Sequence, residues 1–413
     1  MRRLLSGFAL SAGLGLCASA LAADAELIQR GEYLARAADC EACHTAPGGA
    51  PFAGGLALAS PFGVIYGSNI TPDKEHGIGD YSADDFYAAL TQGKRRDGAN
   101  LYPAMPYTAY RQIERADADA ILAYLQSLAP VHRATPETRL DFPFNLRLGL
   151  SGWNLLYAKD LALPSGDGKS AAWQRGQYLV EVLGHCGECH TPRNVAGALR
   201  QDQRLSGGVL NGYLAPSLLA GDLAARGWNP ADLASFLEHG MSAQGSMFSE
   251  MFAVQHHSTR HLQRADLDAM ATYLLGEQPP PARVIVALAY PQLSDSAKRG
   301  RQQYLNLCAG CHGVEGEGKP HIAVAMQGNT SLRLADARNL LRVVLDGIAE
   351  QPFGGFERMQ PMPAFADKLD DAQLTDLLNY LRQTWGGLPG DLDTQALSPL
   401  KSATAPAPAG KVM

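Results

Sequence analysis

A mainly α, loop-rich fold in three tandem domains is predicted for this 413-residue chain, and three observations predict it. The pentapeptide C-x-x-C-H occurs three times, as Cys40 to His44, Cys186 to His190 and Cys308 to His312. The residues ahead of it repeat: Arg30-Gly31-Glu32-Tyr33-Leu34 before the first copy, Arg175-Gly176-Gln177-Tyr178-Leu179 before the second and, more loosely, Arg299-Gly300 with Tyr304-Leu305 before the third. Each copy closes on a segment with apolar residues at i, i+3, i+4 and i+7, the period of an amphipathic helix. These segments carry Tyr124-Leu125, Tyr273-Leu274 and Tyr380-Leu381.

In chain order, Arg2 and Arg3, an apolar run from Leu4 to Leu21 and the small-residue pattern Ala20-Leu21-Ala22 predict a secretory signal peptide over 1–22. The mature chain then begins near Ala23. A lipoprotein reading of Cys17 is opposed by the bulky Leu16 before it. Domain 1 covers 23–128, and 129–170 reads as a linker with Pro130, Pro136, Pro143, Pro164 and a Ser-Gly-Asp-Gly run. Domain 2 covers 171–276, a second linker with Pro279-Pro280-Pro281 covers 277–294, domain 3 covers 295–386, and 387–413 is expected to be a flexible tail. Phe142, Phe144, Leu146, Leu148, Leu150, Trp153, Leu155, Leu156 and Tyr157 crowd the first linker, so that stretch either packs across the domains or meets a partner or lipid surface. Within each domain, a glycine in the first helix would let the last helix cross it closely, with the aromatic filling the crossing.

The chemistry rests on the pentapeptide. Two thiols about one helical turn apart each form a thioether to one haem vinyl group, and the adjacent imidazole reaches the iron. A lone C-x-x-C also serves thioredoxin-like and zinc sites; three matches with a trailing His exclude both readings here. Six of the seven cysteines, Cys40, Cys43, Cys186, Cys189, Cys308 and Cys311, lie in the motifs and the seventh is Cys17. None is left for a disulfide in the mature chain. The expected cofactors are three covalently bound haem c groups, each in a cytochrome c-type domain, with His44, His190 and His312 on the irons. The 43 glycines and 25 prolines suit loops wrapped round a large apolar cofactor.

A sixth ligand is needed, and a thioether there raises the potential and closes the iron to other ligands. Met105 lies in Tyr102-Pro103-Ala104-Met105-Pro106-Tyr107, 65 residues after Cys40, and Met362 in Gln360-Pro361-Met362-Pro363, 54 residues after Cys308. The flanking prolines stiffen the loop that offers the sulfur. The second copy offers Met241, Met247 and Met251 without such prolines; Met251 repeats the 65-residue separation and is preferred to Met247.

Other classes are excluded. The formal net charge of −6 lacks the basic excess of a nucleic-acid binder. There is no nucleophile triad, phosphate loop or dinucleotide fingerprint, so no substrate-converting site is expected. His76, His132, His185, His239, His256, His257, His261 and His321 show no competing metal-ligand spacing, and Asp84-Asp85 and Asp370-Asp371 read as helix N-terminal acids. A haem peroxidase would need a displaceable sixth ligand, which three methionines oppose. No later stretch has the ~18 apolar residues of a membrane span.

The whole mature chain resembles the three-haem cytochrome c subunits of bacterial membrane-bound dehydrogenases, of the gluconate 2-dehydrogenase and quinoprotein alcohol dehydrogenase type. Residues 30–37, Asn69-Ile70-Thr71-Pro72-Asp73, Leu101 to Met105, His190-Thr191-Pro192-Arg193 and Met362-Pro363 carry the match. In that family the middle-domain ligand falls in a Met segment seven residues ahead of a Ser-Thr pair, which selects Met251 before Ser258-Thr259. The resemblance implies a dehydrogenase catalytic subunit, flavoprotein or quinoprotein, as electron donor, ubiquinone as acceptor, and a place in the periplasm, peripheral on the outer face of the inner membrane. Residues 140–163 depart from the gluconate-type pattern. A free-standing periplasmic shuttle, or a molybdenum hydroxylase or aldehyde dehydrogenase as partner, are the alternatives.

Overall fold

A computed structural model describes residues 24–354 and 357–402; the expected leader lies outside them. The chain divides into two compact units at Asp160/Leu161.

The first unit opens with helix α1 (24–37), which turns at Asp39 (φ 51°) directly into the motif helix α2 (Cys40–His44). A small antiparallel sheet follows, β1 (Ala57–Ser60), β2 (Gly63–Tyr66) and the later β3 (Arg139–Leu140), in the order β1-β2-β3. Helix α3 (Ala83–Gln92) starts on a capping box, in which Ser82 and Asp85 each bond the other's backbone N–H. That is the role expected of an N-terminal acid. Helices α4 (Tyr107–Tyr110), α5 (Arg115–Ser127) and α6 (Leu148–Tyr157) complete the unit.

The second unit holds the other two copies. The middle copy runs from α7 (Ala171–Gln177) through a π-helical turn (Tyr178–Leu183) to the motif helix α8 (Gly187–His190). It continues through hairpin β4 (Gly208–Leu210) and β5 (Tyr213–Ala215), α9 (Ala220–Ala225) and α10 (Pro230–His239). Hairpin β6 (Met241–Ser242) and β7 (Gly245–Ser246), α11 (Glu250–His257) and α12 (Arg264–Leu275) follow. The third copy consists of α13 (Asp295–Leu307), α14 (Ala309–His312) and α15 (Arg338–Asp346), then hairpin β8 (Gln351–Gly354) and β9 (Glu357–Met359), then α16 (Asp371–Trp385) and α17 (Thr394–Ser402).

The crossing of first and last helices recurs in all three copies, as the glycine spacing predicts. A Cβ built on Gly31 would lie 1.9 Å from the Ala120 carbonyl oxygen, on Gly176 2.0 Å from that of Ala269, and on Gly300 1.9 Å from that of Asp376. Each contacted residue stands four before the tyrosine of the closing Tyr-Leu pair, so backbone meets backbone where any side chain would hold the helices apart. The arginine before each glycine pins the crossing: Arg30 pairs with the buried Asp117, Arg175 with Asp266 at 2.7 Å and Arg299 with Asp376 at 2.7 Å. In the third copy Tyr304, fully buried, packs against both Tyr380 and Trp385 with ring centroids 5.4 and 5.1 Å away.

The π turn has a cause in the sequence. Cys40 follows Gly31 by nine positions, Cys186 follows Gly176 by ten and Cys308 follows Gly300 by eight. Relative to the first copy, the middle one must fit an additional residue between crossing and motif, and an i→i+5 turn absorbs it. Glu181 within that turn is buried and bonds both Arg204 and the Tyr273 hydroxyl (2.6 Å), bracing it on α12.

Copies two and three interlock within the second unit. The buried Asn339 side chain accepts from Leu214 N at 2.7 Å and donates to Leu214 O at 2.8 Å, continuing the backbone pairing of β5. Thr330 N donates to Gln244 O (2.9 Å), and Phe353 packs edge-on against Phe252 at 5.3 Å.

The segment read as the first linker and the one read as a flexible tail both carry regular structure. Residues 129–170 contain β3 and α6, and α6 is bonded to the 100–107 loop through Asn100–Ser151 (3.0 Å), Tyr107–Asn154 (2.6 Å) and Arg147 Nη1 to Asn100 O (2.8 Å). In the expected tail, α17 buries Leu397 to 2% exposure against the third copy's core, an apolar contact that its Pro-rich neighbourhood hides. Among the described residues, no helix is long and apolar enough to cross a membrane.

Candidate haem sites

Each C-x-x-C-H motif sits on a short helix, and a separate loop reaches over to its histidine. His44 Nδ1 is 2.7 Å from the Ser68 carbonyl oxygen, His190 Nδ1 2.6 Å from that of Pro216 and His312 Nδ1 2.9 Å from that of Val324. A carbonyl only accepts, so Nδ1 carries the proton in all three and Nε2 is left as the electron-pair donor. Burial lowers the basicity of all three imidazoles, opposed by these carbonyls; at His190 the Arg226 charge lowers it further. Neutral, oriented imidazole is the form that ligates iron.

Close backbone approach holds the loops in place. A Cβ on Gly67 would lie 1.9 Å from the Cys43 carbonyl oxygen, and one on Gly208 2.5 Å from that of Cys189. No side chain fits between loop and motif, so Ser68 and Pro216 are carried to their histidines.

The thiols suit thioether attachment better than the competing chemistries. None of the six motif cysteines is in a disulfide. Burial pushes the Cys40 and Cys308 thiols up to about 12, aided by Asp39 and by Cys311 respectively, opposite to the depressed thiols of C-x-x-C redox sites. Among the described residues, no motif brings its two sulfurs and imidazole within 4.8 Å of one another, which is where a zinc site would gather them.

The methionines are placed as follows. Met105 is half-buried in a turn closed by Met105 N to Tyr102 O (3.1 Å) and Tyr107 N to Met105 O (2.8 Å). The adjoining Tyr110 hydroxyl donates to Ala38 O at 2.7 Å, tying that loop to the end of α1. Met362, also half-buried, exchanges both backbone bonds with Ile348 (2.8 and 3.0 Å). Met251 is half-buried in the first turn of α11, whereas Met247 is 1% exposed, its sulfur enclosed by protein. The carbonyl partners of the histidines were not legible in the sequence, because a backbone oxygen carries no side-chain signature; the glycines at 67 and 208 were the available signal.

Fold and sites together define a c-type cytochrome. A family model for cytochrome c matches residues 28–129 and 297–385. The gluconate 2-dehydrogenase cytochrome c subunit of Pantoea cypripedii is 37% identical over 381 residues, 87% of this chain and 86% of that one. The alcohol dehydrogenase (quinone) cytochrome c subunit of Gluconobacter oxydans is 35% identical over 425 residues, 97% and 88% of the two chains. A nicotinate dehydrogenase subunit of Pseudomonas putida is 38% identical over 378 residues, 88% of this chain, which spans only 31% of that longer protein. The chain belongs to the family of cytochrome c subunits of dehydrogenases, and its role is electron transfer. The middle copy lies outside both matched segments, and it is the copy with the π turn and with its candidate methionine on a helix.

Proposed function

We propose that the chain carries three haem c groups, on Cys40/Cys43, Cys186/Cys189 and Cys308/Cys311, with His44/Met105, His190/Met251 and His312/Met362 as axial pairs. It serves as the periplasmic electron-transfer subunit of a dehydrogenase complex, taking electrons from a flavoprotein or quinoprotein subunit and delivering them to ubiquinone at the inner membrane. The observation that carries this reading is the carbonyl clamp on three equivalent histidines. Bound haem supplies reversible one-electron chemistry at iron. The protein's part is to fix each imidazole tautomer, hold each methionine loop, and bring the second and third copies together. Phe252, next to Met251 in sequence, touches Phe353 in the hairpin that precedes Met362 in the chain. Intact mass of the exported protein is expected to show a gain of three haems, and a haem stain to persist after denaturation; a gain of two overturns the count of three.

The similarity to the nicotinate dehydrogenase subunit favours a second reading of the partner, one acting on a nitrogen heteroaromatic acid instead of a sugar acid or alcohol. Copurification of the partner separates the two.

Membrane contact is assigned to α6 and the turn before it. Phe142 is 77% exposed, Leu148 85%, Leu155 79% and Leu156 60%, an apolar excess suited to the headgroup boundary of a bilayer and flanked by Arg139, Arg147 and Lys159. Because α6 is bonded to the Met105 loop, a bilayer met by this surface lies beside the first copy. Leu148→Ser, Leu155→Ser and Leu156→Ser together are expected to leave haem content and spectra unchanged while releasing the protein from membranes. Trp153 is left intact because it packs on Tyr107 and Tyr157. Full membrane retention by the triple variant removes lipid as the occupant.

A further inference from the structure

We propose that Glu75, His76 and His132 form a surface site for one divalent transition-metal ion of the zinc class, separate from the haem irons. The residues come from two segments 56 positions apart. Nevertheless, one ligand atom from each lies within 4.8 Å of the other two. His76 Nε2 is 3.8 Å from one Glu75 carboxylate oxygen, His132 Nε2 is 3.9 Å from the other, and the two imidazole centroids are 4.6 Å apart.

Two imidazoles and one carboxylate, with a water in the fourth position, are a donor set for Zn²⁺. Bonds of about 2.0–2.1 Å in a tetrahedron imply ligand-to-ligand edges of roughly 3.3 Å. Edges now no longer than 4.8 Å must therefore shorten by up to about 1.5 Å, within reach of side-chain rotation for a Glu75 side chain that is 72% exposed and a His132 side chain that is 66% exposed.

The framework under these side chains is rigid and pre-set. Asp73, whose side chain is only 12% exposed, lies 3.2 Å from His132 Nδ1. A neutral His132 donating there turns Nε2 toward Glu75, the arrangement in which a carboxylate orients a metal-binding imidazole. Asp73 also accepts from Glu75 N (3.1 Å) and His76 N (2.7 Å), fixing the turn that presents both ligands. The strap bearing His132 is bolted to the same loop. The buried Asn69 amide donates to Val131 O (2.8 Å) and Arg133 O (3.1 Å), and Thr71 Oγ1 accepts from Val131 N (3.1 Å). Only the three outer side chains have to move for an ion to bind.

The test uses the full-length haem-loaded protein, treated with a chelator that leaves covalent haem in place and then desalted. Titration with Zn²⁺ in a calorimeter at pH 7.5, with zinc counted against haem iron by mass spectrometry, is expected to give one zinc per chain. His76→Ala and His132→Ala should each weaken binding at least tenfold, and Asp73→Asn by about tenfold, with the haem absorption spectrum unchanged. Should a histidine variant lose haem, Glu75→Gln, the most exposed change, decides, and it is likewise expected to weaken binding. No zinc beyond the iron, or zinc bound equally by wild type and Glu75→Gln, overturns the site.

Discussion

Replacing Gly300 by valine is expected to unfold the third domain and open the sixth position of its iron while the thioethers keep the haem attached, the largest stability effect anticipated for a single substitution here. The new Cβ would sit 1.9 Å from the Asp376 carbonyl oxygen and 2.9 Å from Leu377 N, both backbone atoms in the middle of α16. No rotamer relieves a clash between two helix backbones, so α13 and α16 must move apart by more than an ångström. That opens the cluster of Tyr304, Tyr380 and Trp385 and separates Arg299 from Asp376. Overpacking alone costs about 1–3 kcal/mol; with the aromatic cluster disrupted as well, roughly 3–5 kcal/mol is expected, at the upper end for point substitutions. Gly221→Ala in α9 is the control, since nothing lies within 4 Å of its added Cβ and alanine favours a helix by about 1 kcal/mol over glycine. Denaturant titration followed at the haem bands, with haem stoichiometry by mass, reads both. Equal midpoints for the two variants would mean that the crossing tolerates a side chain.

Much of this architecture was legible because its causes are local. The Arg-Gly pair, the pentapeptide and the closing Tyr-Leu helix each carry their own signal, and their spacing gives the crossings. The one-residue excess between Gly176 and Cys186 was also there to be read, although only the structure shows it resolved as a π turn. Tertiary pairing hid the remainder. Asn339 looks like any polar helix residue until it completes the edge of β5 at Leu214, so the joining of copies two and three had no sequence signature. His76 and His132 are too far apart to form a motif, and the tertiary bonds of Asn69, Thr71 and Asp73 to residues 131–133 bring them together. Periodicity does not separate an apolar helix that packs from one that faces outward, and α6 does both: Trp153 turns in to Tyr107 while Leu148, Leu155 and Leu156 turn out.

Opposite outcomes are expected from two methionines four residues apart. Met251→Leu should leave the fold intact, because the residue is half-buried in the first turn of α11 and leucine is close to it in volume and helix preference. It should nonetheless remove the sixth ligand from the middle iron, which then binds carbon monoxide when reduced and titrates at a lower potential, since a thioether stabilises the reduced state. Met247→Ala should do the reverse. At 1% exposure its side chain fills protein interior, so truncation leaves a cavity costing about 2–5 kcal/mol. The iron, however, keeps both axial ligands and stays closed to carbon monoxide. The readouts are independent: the carbon monoxide difference spectrum counts open irons, and the denaturation midpoint reports packing. A third variant, Met105→Leu, calibrates the first by opening the iron of the first copy. If carbon monoxide instead binds to Met247→Ala and not to Met251→Leu, the ligand is Met247. The 65-residue separation shared by Cys40–Met105 and Cys186–Met251 would then be coincidence, and the first turn of α11 a packing element.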